Sequence, residues 1–133
     1  MSVGSWTPED HAESPSIDVN FLRKCLGLAK GDRLEQLATE LDEDEQARHR
    51  GIMRLPFDAW ESVLAAYAST ELRQLIRFFT RAEMLLPGWE AGERSPAIWA
   101  NKILKQRGER LDTEELRWIR ANTSNRFIPN GGL

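Results

Sequence analysis

A single cysteine, Cys25, rules out an internal disulfide, and chains without a disulfide framework are usual in reducing compartments. Only two histidines occur, His11 and His49, so no histidine-based metal constellation is evident. No apolar run approaches the roughly 20 residues that a membrane helix needs. The first sixteen residues, MSVGSWTPEDHAESPS, have neither the positive stretch nor the apolar stretch of a secretory signal. A soluble cytoplasmic protein is the resulting expectation. Alternating runs rich in Val, Ile and Thr are also missing, so nothing in the pattern asks for a sheet.

Chemical signatures are equally scarce. There is no phosphate-binding loop, dinucleotide-binding glycine pattern, His-Glu-x-x-His or paired-cysteine site, and no nucleophile stands in an elbow sequence. Asp42-Glu43-Asp44-Glu45 invites a metal reading. It lacks the glycine and the spaced ligands of a calcium loop, whereas acidic residues suit the positive end of a helix dipole. Neither a metal nor a cofactor is expected, and the chain reads as a non-enzyme more readily than as an enzyme.

What the sequence does contain is helix. Its 133 residues fit one domain, long enough to bury a core without staples. The organising stretch is TELRQLIRFFTRAEMLLPGW, from Thr70 to Trp89. Leu72, Leu75, Ile76, Phe79 and Leu86 recur on one side at helical spacing, with Phe78, Ala82 and Leu85 beside them. An apolar surface that wide predicts a central helix with neighbours on several sides. Around it the pattern predicts helices over residues 17–29, 32–41, 56–68, 96–107 and 113–121, and one that starts in the acidic run 42–45 and leads into 46–54. Ser95-Pro96 is a strong start signal, and Asp112 with Glu115 has capping-box spacing. The expected architecture is a single all-α bundle of five to seven helices. The folded domain is read as residues 17–127, with residues 1–16 as a flexible arm and 128–133 as a non-helical tail.

Function is less legible. The first reading is a small adaptor or regulator that acts through protein contacts, suggested by where the aromatics fall. Trp60, Trp99 and Trp118 sit in helical apolar stripes and are expected in the core. Trp89 lies in a Pro/Gly loop beside Glu90, Glu93 and Arg94, so it either anchors a partner, as exposed Trp and Arg often do, or folds back over the bundle. Arg126-Phe127-Ile128 in the tail raises the same choice. Trp6 in the arm either dangles or lies on the body, or is another anchor. The expected partner-binding residues are therefore Trp89, Arg94, Arg126, Phe127 and Ile128.

The second reading is a nucleic-acid-associated regulator using the helix pair within residues 96–126. From Ser95 to Leu133 seven basic residues face four acidic ones. Lys102, Lys105, Arg117, Arg120 and Arg126 would then gather on one face. The whole-chain net charge of -3 argues against binding through the overall field.

Overall fold

Residues 69–85 form one continuous helix that is covered on nearly every side. In the computed structural model of the protein, which describes residues 16–131, the helices in chain order are α1 (Val19–Lys30), α2 (Leu37–Glu40), α3 (Glu43–His49), α4 (Phe57–Ala65), α5 (Ser69–Leu85), α6 (Pro96–Gln106) and α7 (Thr113–Asn122). Tight 3-10 turns occupy Leu34–Gln36, Arg50–Arg54 and Gly92–Arg94. No strand occurs among the described residues. The expected arm, apart from Ser16, lies outside the described residues, as do the last two residues of the tail.

The helix ends follow their local chemistry. Asp18 accepts the Asn20 N–H at 2.8 Å, Asp42 the Glu45 N–H at 2.8 Å, and Ser95 Oγ the Ala97 N–H at 3.2 Å. Asp112 and Glu115 cap each other reciprocally, at 2.8 and 2.9 Å. Each such cap is worth about 1 kcal/mol. Two segments depart from the sequence expectation. Asp32 takes a left-handed backbone (φ 58°) after α1, so the segment expected as one helix over 32–41 becomes a 3-10 turn and a single α-turn. The acidic run does start α3, at the Asp42 cap, but the helix ends at His49 and the residues expected to continue it tighten into the 3-10 turn Arg50–Arg54 before Pro56.

The core runs along α5, which packs on α1, α2, α6 and α7. A chain of rings crosses it. Trp60 meets Phe79 (centroids 5.6 Å apart), Phe79 meets Phe78 (5.1 Å), and Phe78 meets Phe21 (6.3 Å). Phe21 in turn stacks on His49 at 3.9 Å and touches Trp89 at 6.2 Å. Edge-to-face pairs of this kind add about 0.5–1.5 kcal/mol beyond burial itself. Ala97 and Ala100 on α6 are fully buried, and their small side chains let that helix approach α5 closely.

Two polar devices fix the periphery. Arg107, just past α6, donates to the carbonyls of Ala65 (3.2 Å) and Tyr67 (2.8 Å) and to Ser69 Oγ (3.0 Å), clasping the corner between α4 and α5. In the tail, Asn101 Nδ2 donates to the Pro129 carbonyl at 3.0 Å and Lys105 Nζ to Asn130 Oδ1 at 2.7 Å. The tail is non-helical, but packing continues past Phe127, because Ile128 and Pro129 are both buried.

Candidate functional site

The residues expected to bind a partner do not form one surface. Trp89 has no exposed area. It folds back under its loop against Phe21, so the anchor reading is corrected to the lid reading. The loop can turn this way because Gly88 adopts φ +82°; a Cβ there would lie 2.8 Å from Arg50 Cδ. Ile128 is likewise in the core, at 5% exposure. Phe127 is half-buried, with the Arg126 guanidinium 5.4 Å from its ring. Those two line a shallow depression with Met84 and Glu90. Arg94 lies elsewhere, in a larger cleft.

That larger cleft, about 670 Å³, opens between the start of α4, the outer face of α6 and the tail. Its apolar wall is Phe57, Trp99 and Ile98, the two rings 5.7 Å apart. Trp99 Nε1 donates to the Leu55 carbonyl at 3.1 Å, which locks the indole in place. Arg94, Lys102 and Lys105 rim it against a single carboxylate, Glu93. Lys102 Nζ sits 4.3 Å from the Phe57 ring centroid, Lys105 reaches the Asn130 amide, and Arg94 donates to the Arg54 carbonyl at 3.3 Å. Among the described residues none of the three is in an ion pair. The cleft is therefore a positive rim on a rigid aromatic wall, suited to a ligand with carboxylates and an apolar side chain.

Phe57 and Trp99 belong to the apolar stripes read as core. Their real position could have been inferred from Trp99 and Lys102 standing three residues apart on one helical face. The tail's part in the cleft had no such local signal.

A second cleft, about 490 Å³, lies between α5 and α7. Arg73 pairs there with Glu115 at 3.5 Å, and the Arg77 guanidinium lies 4.8 Å from the Trp118 ring. The basic set of the nucleic-acid reading is split. Lys102 and Lys105 are in the tail cleft, Arg117 and Arg120 are exposed on α7, and Arg126 lies in the depression beside Phe127. The helix pair does not dock as a helix-turn-helix unit, since α6 and α7 each pack chiefly on α5.

Two buried groups outside the clefts are electrostatically unusual. Burial pushes the Cys25 thiol well above its ordinary value of 9.0, which suppresses the thiolate and with it nucleophilicity. Burial also raises the Glu83 carboxyl above 4.5, against the opposing pull of its hydrogen bonds. Glu83 Oε1 accepts from the Ala91 N–H at 3.2 Å and from Asn125 Nδ2 at 3.0 Å, tying the Trp89 loop to the tail. Among the described residues no three of His, Cys, Asp and Glu converge as metal ligands, and no helix is long and apolar enough to cross a membrane. No family model, curated protein or solved structure matches the chain significantly.

Proposed function

We propose that this protein is a small cytoplasmic adaptor or regulator that holds an acidic segment of a partner protein in the tail cleft. The observation that carries the reading is the convergence of Arg94, Lys102 and Lys105, none of them ion-paired among the described residues, on the Phe57–Trp99 wall. A partner carboxylate gains charge-assisted hydrogen bonds there without breaking any pair among the described residues, and an adjacent apolar side chain gains the ring surface. Nucleic acid is less favoured, because a duplex is held by many phosphate contacts along an extended positive face, and the basic residues here are divided among three surfaces.

The test is fluorescence anisotropy of a labelled peptide rich in Glu and Asp with one Trp, at low salt. Binding in the micromolar range, lost by about tenfold or more in Lys102→Glu/Lys105→Glu with the circular dichroism unchanged, is the expected result. Tighter binding of a labelled duplex than of the peptide would favour the nucleic-acid reading. No binding of either at hundreds of micromolar would remove the cleft as a site.

A further inference from the structure

The distribution of charge along the chain points to a resident competitor for this cleft. Residues 1–15 contain Glu9, Asp10 and Glu13 and no lysine or arginine. The rest of the chain carries equal numbers of basic and acidic residues, so the whole net charge of -3 belongs to this one segment. The same segment contains Trp6, three residues before the first carboxylate. An indole followed closely by carboxylates is the ligand chemistry that an aromatic wall rimmed by Arg94, Lys102 and Lys105 would accept.

We infer that the protein's own segment Trp6–Asp10 docks in the tail cleft, with Trp6 on the Phe57–Trp99 wall and the Glu9 and Asp10 carboxylates among the three cations, so that a partner's acidic segment must displace it. This rests on the cleft being an acidic-segment site as proposed above. The reach is sufficient. Phe21 stacks on His49 at 3.9 Å, which places the first turn of α1 beside the end of α3. From His49 the chain runs through the 3-10 turn Arg50–Arg54 to Pro56 on the cleft's edge. Those seven steps span at most roughly 25 Å even if fully extended, whereas the nine steps from residue 6 to residue 15 extended span roughly 31 Å. A short tether of this kind gives an effective concentration of order millimolar. A segment with an intrinsic affinity of order 100 µM would thus weaken an external competitor by about tenfold.

The experiment compares the full-length protein with a full-length variant carrying Trp6→Ala, Glu9→Lys, Asp10→Lys and Glu13→Lys. None of the four positions belongs to the described bundle. The probe is the labelled acidic peptide used above. The variant is expected to bind it about tenfold more tightly, and a synthetic peptide of residues 1–15 is expected to compete for the variant's cleft. Equal affinity of the two proteins, with the peptide still bound, would overturn the docking of the segment and leave the acidic-segment site standing. Failure of both proteins to bind either peptide would remove the site and the inference together.

Discussion

The two clefts are similar in size and differ in what their charges are doing. Between α5 and α7, Arg73 is neutralised by Glu115 and also donates to the Arg110 carbonyl at 3.3 Å. Arg77 lies over Trp118, and Glu114 adds a further negative charge. A ligand entering there must first break interactions already made. Beside the tail, among the described residues, three cations face one carboxylate and have bonded only to neutral acceptors or a ring. Volume therefore does not separate a site from a seam. The state of the charges at the rim does, because paired charges have little left to offer.

The comparison can be broken first at the level of stability. Trp89 is buried under the loop that carries Arg94, while Trp118 is a half-exposed wall of the other cleft. Trp89→Ala is expected to cost about 3–5 kcal/mol in urea unfolding, and Trp118→Ala no more than about 2 kcal/mol. Equal costs would mean that the two walls are built alike. Next comes ligand binding. Lys102→Glu/Lys105→Glu should lose the acidic peptide, and Arg73→Ala/Arg77→Ala should change its affinity by no more than about twofold; an equal loss from the second pair would erase the distinction between the clefts.

Ionic strength sharpens the same contrast with a smaller effect. Raising salt from about 0.05 to 0.5 M should weaken the peptide several-fold, since exposed rim charges are screened beyond about a Debye length; salt-independent binding would assign the affinity to the rings alone.

The smallest effect concerns what joins the tail to the Trp89 loop. The folded Glu83 carboxyl lies above its ordinary 4.5, so the folded state takes up the proton more readily than the unfolded chain. Protonation then stabilises the fold as pH falls from neutral through the raised value, and the gain levels off below about 4.5. Glu83→Gln keeps an acceptor for Ala91 and Asn125 and has no proton to gain. Relative to this variant, the wild-type denaturation midpoint should rise on acidification. A difference that stays constant with pH would show that Glu83 does not titrate in this environment.

Much of the fold was readable from local pattern. The apolar spacing of α5 and the capping chemistry at Ser95-Pro96 and Asp112–Glu115 are written in neighbouring residues, and the structure carries all of them. What escaped depends on distant partners. Trp89 is buried because Phe21 waits beneath it, and no local rule connects those two positions. Phe57 and Trp99 fit an apolar stripe whether they face the core or a cleft; the half-exposed outcome depends on where the tail comes to rest. Lys102 and Lys105 were visible as basic residues, but their lack of carboxylate partners among the described residues is a property of the assembled surface. The 3-10 turns were missed because a tightened turn has the same composition as a helical one.

The clasp made by Arg107 carries one more consequence. The corner between α4 and α5 has one local side-chain cap, Glu71 Oε1 accepting from the Ala68 N–H at 3.0 Å, and it takes three further hydrogen bonds from a guanidinium about forty residues downstream. During synthesis the amino-terminal half must therefore leave the ribosome with that corner unlatched. The latch closes only once the chain has been translated through Arg107.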